Sequence, residues 1–256
     1  MAFLDLHFYS EVLGMNVPLN VVLPRKMGDG DDDGCTAVPT LYLLHGKSDD
    51  QTTWMRRTSI ERYAEDRGVA VVMPSTELGW YTDMAVGPKY RTFVGEELPA
   101  VCRTLFPRLS PRREDTWIAG NSMGGYGSLM LALTYSETFS IAAPLSGAFD
   151  PCYVYQKDDP DFADIFGSPD AFFGSVNDPY HTAAVYRESG KPLPKIFMWC
   201  GSEDFLIEPN HKMRDTLGSL GYDLTYTETP GSHSWCYWDR EIQNALDFMF
   251  EKREEL

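Results

Sequence analysis

A serine flanked by glycines, Gly120-Asn121-Ser122-Met123-Gly124, stands directly after the apolar run Trp117-Ile118-Ala119 and directly before a helix-forming stretch. G-x-S-x-G between strand and helix marks a sharp elbow that presents a serine hydroxyl at the edge of a sheet. Gly124, Gly125 and Gly127 leave the helix start almost without side-chain bulk. Such a start lets the backbone take a strained turn and lets the helix cross close over the sheet. A serine hydroxyl attacks only when a base removes its proton and donors await the resulting oxyanion. The plainer alternative is a Gly-rich turn with an idle serine.

The surrounding pattern predicts the sheet. Residues 3–10 and 17–23 alternate or run apolar around Gly14 and predict an antiparallel hairpin. Residues 40–44, ending in His45-Gly46, read as a buried parallel strand. A helix is expected over 52–66, with Ile60, Tyr63 and Ala64 inward, and a strand over 69–73, stopped by Pro74. Residues 92–106 read as a helix that Pro99 should kink or restart. Strands are expected over 116–119, 141–145, 196–200 and 223–229, and helices over 124–135, 209–220 and 241–250. Strand and helix therefore alternate after an antiparallel start. That order predicts an α/β fold: a mostly parallel sheet, an antiparallel N-terminal hairpin, and helices on both faces. The 256 residues suffice for one large domain, and no internal repeat or linker is visible.

Two segments interrupt the rhythm. The loop 28–34 is very acidic; Asp29, Asp31, Asp33 and Gly34 match the opening of a calcium-binding loop. Thr40 stands where a bidentate glutamate belongs, so a solvated hairpin tip is expected instead. Residues 148–191 are aromatic and broken by Pro and Gly, with Tyr153, Tyr155, Phe162, Phe166, Phe172, Phe173 and Tyr180. A connection of that length inside a compact domain usually carries function, here as a lid or cap.

If Ser122 is a nucleophile, an acid and then a histidine should follow it in the chain. His181, His211 and His233 follow. His233 lies in the small-residue loop Pro230-Gly231-Ser232-His233-Ser234, which can present an imidazole at the sheet edge. It is the expected general base; His211 falls on a predicted helix and His181 in the excursion. The acid should leave the strand before, where Gly201 lets the chain turn toward Glu203 and Asp204. Asp204 is preferred for its shorter side chain and Glu203 is its competitor. The oxyanion donors are expected to be the backbone N–H groups of Met123, after the elbow serine, and Lys47, after His45-Gly46. His45 is expected to be a structural hydrogen-bonder under that loop.

Composition narrows the partners. The formal net charge of −16 disfavours nucleic acid and anionic membrane surfaces. No run of about 18 apolar residues occurs, so no membrane-spanning helix is expected. Residues 1–9 lack a basic start and an apolar core, so export by signal peptide is not expected. Cys35, Cys102, Cys152, Cys200 and Cys236 are scattered without a C-x-x-C pair, which predicts free thiols and a cytoplasmic location. The chemistry needs no metal or cofactor. A small-molecule ester is the expected partner, and a homo-oligomer stays open.

Leu44-His45-Gly46, Gly120 to Gly127, Cys200-Gly201-x-x-Asp204 and Gly231-x-His233-x-Trp235 resemble, in order and over nearly the whole chain, the esterase D family of α/β hydrolases. Phe8-Tyr9-Ser10, Leu13-Gly14-Met15 and Trp80-Tyr81-Thr82-Asp83 most resemble its tributyrin-esterase-like branch. The resemblance implies an α/β-hydrolase fold and a carboxylesterase for short acyl esters. Related members remove acetyl or feruloyl groups, hydrolyse S-formylglutathione or transfer mycolyl groups. Trp80, Tyr81, Phe172, Phe173 and Trp235 would suit a feruloyl group if they lined one cleft. The chain departs from the S-formylglutathione hydrolase pattern: no cysteine follows His45-Gly46, and Asn121 replaces a histidine.

Overall fold

A computed structural model describes residues 1–25, 37–154 and 160–256, with the backbone alone at Tyr153 and Pro160. The acidic loop 28–34, Cys35 and Tyr155 lie outside the described residues. Strict alternation makes β1 (Ala2–Ser10) an edge strand with one half-buried and one exposed face. It pairs antiparallel with β2 (Met15–Leu23), Ala2 opposite Leu23. Largely apolar runs, buried on both faces, make β3 (Thr40–Leu44), β4 (Ala70–Pro74), β5 (Thr116–Asn121) and β6 (Ile141–Leu145). β7 (Lys195–Gly201) and β8 (Leu224–Thr229) complete one sheet of eight strands, ordered β1-β2-β4-β3-β5-β6-β7-β8. The hairpin joins through an antiparallel β2–β4 pair, and every later pairing is parallel. The α/β-hydrolase architecture is as expected.

Alternate strand residues feed separate cores. Tyr42, Leu44, Val72 and Ile118 pack on one face, and Leu41, Leu43, Val71 and Trp117 on the other. Fully burying one such side chain contributes about 1.5–3 kcal/mol.

The helices depart from expectation where side chains compete with the backbone. The segment 52–66 is two helices, α1 (Thr53–Arg57) and α2 (Ile60–Arg67). Thr58 is extended between them; its hydroxyl donates to Trp54 O at 2.6 Å and accepts the Ile60 N–H at 3.1 Å. A hydroxyl that satisfies backbone groups locally removes the need to continue the helix. Around Pro99 the chain runs through α3 (Tyr90–Thr92), a π-helical turn (Phe93–Glu97) and α4 (Leu98–Leu105). The π turn ends just before Pro99, which therefore stands in the first turn of a restarted α-helix, where its missing N–H costs nothing. The Glu97 carboxylate at that junction accepts the Glu11 N–H at 2.7 Å and the Ser10 hydroxyl, tying the β1–β2 turn to the body.

The elbow helix is α5 (Met123–Thr134), buried from Met123 to Leu133. The excursion folds as α6 (Pro151–Val154), α7 (Pro160–Phe166), α8 (Pro169–Phe172) and α9 (Pro179–Arg187). Phe162, Ile165, Phe166 and Phe172 join the same core as Trp80 and Tyr126. α10 (Ile207–Ser219) and α11 (Trp235–Arg253) close the chain. α11 starts six residues before the expected position, because Trp235 and Trp238 pack onto the sheet and override their modest helix propensity. The carboxyl ends of β3, β5, β6 and β7 meet at one rim, where open α/β sheets place their sites.

Candidate active site

Ser122 has φ 56° and ψ −116°, a conformation sparsely populated by L-residues. Such strain costs about 1–3 kcal/mol and persists only when the surroundings over-determine it. Here the Ser122 N–H donates to Leu145 O at 2.9 Å, while Ser122 O accepts from Tyr126 and Ala148, each at 3.0 Å. The motif glycines have a steric cause. A Cβ on Gly120 would sit 2.5 Å from Gly124 O, and one on Gly124 would sit 2.5 Å from Leu44 O. Only bare backbone lets α5 leave β5 this tightly beside β3.

The rim brings three distant side chains into line. His233 Nε2 is 2.9 Å from Ser122 Oγ, and His233 Nδ1 is 2.9 and 3.0 Å from the two Asp204 oxygens. A carboxylate only accepts, so Nδ1 carries the proton and Nε2 turns its lone pair to the serine hydroxyl. Asp204 is buried, and its Oδ1 also accepts the Leu206 N–H at 2.9 Å. Glu203 is exposed and points away, its N–H bonded to Gly231 O at 2.8 Å. Of the two carboxylates, Asp204 is the one that meets His233. Gly201 serves close approach: a Cβ there would lie 2.2 Å from Gly231 O. The loops carrying Asp204 and His233 thus touch through backbone.

Rings brace the imidazole. Trp238 meets it edge-on at 4.8 Å and 90°, and donates its Nε1–H to Ser146 Oγ at 3.1 Å. Ser146 itself has φ 48° at the end of β6. Phe205, itself exposed, lies 4.6 Å from the imidazole. Sequence reasoning missed all three. Leu145-Ser146-Gly147, a strand running into Ser-Gly, carried a faint copy of the elbow signal; Trp238 and Phe205 carried none.

Under the rim, His45 is buried and accepts the Thr76 N–H on Nε2 at 3.1 Å while its Nδ1 faces Gly46 O at 2.8 Å. Both nitrogens are used by the neutral ring, and burial holds its pKa below the usual histidine value. Tyr81 donates to His45 O at 2.9 Å. This fastens the strand end that leads into Lys47, the expected structural role of His45. Met123 opens α5, so its N–H has no intrahelical acceptor.

His181 is exposed at the start of α9, and His211 pairs with Glu228 at 2.6 Å; neither joins the rim. The aromatic set does not line one cleft. Trp80, Tyr81 and Phe172 are buried in one core, Trp235 packs with the opposite core against Trp54 at 4.9 Å, and Phe173 is exposed. The sheet separates them. Among the described residues, no group of three or more His, Cys, Asp or Glu is placed to hold a metal ion. No helix there is long and apolar enough to cross a membrane.

Residues 10–249 match the model of the family described as "Putative esterase". An acetyl esterase of Caldicellulosiruptor saccharolyticus is 32% identical, over 97% of this chain and 98% of its own length. The substrate-bound structure of fluorophosphonate-binding serine hydrolase F of Staphylococcus aureus matches with a TM-score of 0.90 at 36% identity, covering 97% of this chain and 98% of that one. An S-formylglutathione hydrolase of Staphylococcus aureus matches at 0.87 and 36%, with the same coverage. The last similarity holds although this chain lacks the cysteine and histidine expected of that pattern.

Proposed function

The chain belongs to this esterase family of α/β hydrolases and is a carboxylic ester hydrolase, and from that premise we propose that Ser122, His233 and Asp204 are its nucleophile, general base and orienting acid. The observation that carries the reading is the unbroken path from Ser122 Oγ through His233 to buried Asp204. His233 Nε2 takes the hydroxyl proton as Ser122 Oγ attacks the ester carbonyl. The Met123 and Lys47 N–H groups receive the oxyanion, each such donor being worth about 3 kcal/mol. The imidazolium, stabilised by Asp204, gives its proton to the departing alcohol oxygen. Water then repeats the sequence on the acyl-enzyme: His233 takes its proton, the acid product leaves, and Ser122 regains its hydrogen.

Short acyl groups are the proposed substrates, in keeping with the acetyl esterase relative. The feruloyl alternative loses the support of a shared aromatic cleft, since its rings sit on opposite faces of the sheet. The reading takes residues 1–256 as one hydrolase domain and 148–191 as its cap, leaving the sheet at Ala148 beside Ser122 O. A cytoplasmic place of action belongs to the same proposal, resting on the dispersed cysteines; a homo-oligomer would leave the chemistry unchanged. Initial rates on 4-nitrophenyl acetate, butyrate and octanoate and on methyl ferulate test it. Acetate or butyrate should give the highest kcat/KM; octanoate or methyl ferulate leading the series would defeat the short-acyl assignment.

A further inference from the structure

The loop Asp204-Phe205-Leu206 turns its neighbours inward and its middle residue out. Asp204 and Leu206 are buried at 2% and 1% exposure, whereas the Phe205 ring is 56% exposed. A large aromatic ring held in water is unfavourable unless something covers it. The ring meets the imidazole of His233, 4.6 Å away and tilted by 54°. Trp238 also meets the imidazole, edge-on at 4.8 Å, and is itself 4% exposed. Of the two rings against the imidazole, Trp238 is therefore sealed in the core and Phe205 is open to solvent.

The direction of proton return places the substrate's two halves. His233 Nε2, 2.9 Å from Ser122 Oγ, must come within hydrogen-bond reach of the alcohol oxygen to protonate it. The first carbons of the departing alcohol then lie beside the imidazole, within one ring's width of Phe205. The carbonyl oxygen points instead to the opening of α5. We propose that Phe205 is a specificity-determining residue: its exposed face forms the wall of the alcohol subsite and favours esters whose alcohol carries a flat apolar group one carbon from the ester oxygen, as in benzyl esters. The inference rests on the proposed roles of Ser122 and His233.

The test holds the acyl group constant as acetyl and compares kcat/KM for benzyl and methyl acetate, a parameter that covers steps up to departure of the alcohol. The benzyl-to-methyl ratio cancels intrinsic differences in reactivity when variants are compared. Phe205→Ala should lower that ratio by about three- to tenfold, the worth of one aromatic contact. Phe205→Leu, which keeps apolar bulk and serves if the alanine variant does not fold, should lower it by about twofold or more. A uniform loss on both esters leaves the ratio unchanged and overturns the proposal, because it would mean that Phe205 only steadies the Asp204 loop. Ser122→Ala is assayed alongside on both esters. Retained activity there overturns the nucleophile assignment itself, separately from the ratio.

Discussion

Ser122, His233 and Asp204 share one proton path, so their substitutions should not add. Ser122→Ala and His233→Ala should each lower kcat on 4-nitrophenyl acetate by about 10³- to 10⁶-fold, with the double variant no slower than the worse single one. Asp204→Asn should cost about 10³- to 10⁴-fold, since an amide in place of the carboxylate no longer fixes the Nδ1–H tautomer. Glu203→Gln, an exposed side chain outside the path, should stay within about twofold. Equal losses for the two would reverse the assignment of the acid. Trp238→Phe keeps a ring against His233 but removes the N–H that anchors it on Ser146. Loss of one hydrogen bond of about 1 kcal/mol should show as a three- to tenfold fall in kcat at near-constant KM. A rise in KM alone would assign Trp238 to binding. At this scale the sequence reveals residue types in order, and it cannot reveal which of two adjacent carboxylates turns inward. That depends on Leu206 seating in the core and carrying Asp204 with it.

Between elements, the spacing of α5 from β3 is set by absent side chains. Gly124→Ala would drive a Cβ to 2.5 Å from Leu44 O and 2.7 Å from His45 O, both main-chain atoms that cannot rotate away. The helix must shift, at a cost of about 1–3 kcal/mol or more, and Ser122 moves with it. Gly218 in α10 has nothing within 4 Å of its would-be Cβ, so Gly218→Ala should stabilise by about 0.5–1 kcal/mol through helix propensity. Urea midpoints of the two variants should move in opposite directions, and activity should fall only for the first. Gly124→Ala leaving both the midpoint and the rate intact would remove the packing account of the motif. The apolar runs that became β3 and β6 were legible to the residue, because burial on both faces demands unbroken hydrophobic strings. The break at Thr58 and the early start of α11 were not. The local Thr58 break is joined by a partner remote in sequence, Asp239, which accepts the Ser59 N–H at 3.1 Å, and the start of α11 involves Trp54, which meets Trp235 edge-on at 4.9 Å.

For the molecule as a whole, acidification has two opposed consequences. Protonating carboxylates reduces a formal net charge of −16 and its self-repulsion, which favours the folded state. His45 works the other way. Burial holds its native pKa below the ordinary value of 6.5, although the Gly46 carbonyl and Asp50 both pull it upward. Below about pH 6.5 the unfolded chain therefore binds a proton that the native ring refuses. The stability His45 lends is complete above that pH and is lost as pH falls toward its native pKa. Asp49, four residues on, has its carboxyl pKa raised by burial, so its effect has the reverse sign and a more acidic window above the ordinary 3.8. Unfolding free energies from urea titration at pH 7.5, 6.5 and 5.5 should separate the terms. His45→Gln keeps an acceptor for the Thr76 N–H and cannot titrate, so it should be less stable than the parent at pH 7.5. The gap should narrow toward pH 5.5, by no more than about 1.4 kcal/mol per pH unit, the limit for one proton. A gap that stays constant over that range would mean that His45 takes up its proton in the folded protein as readily as in the unfolded chain. The neutral double hydrogen bond under the oxyanion loop would then have to be abandoned.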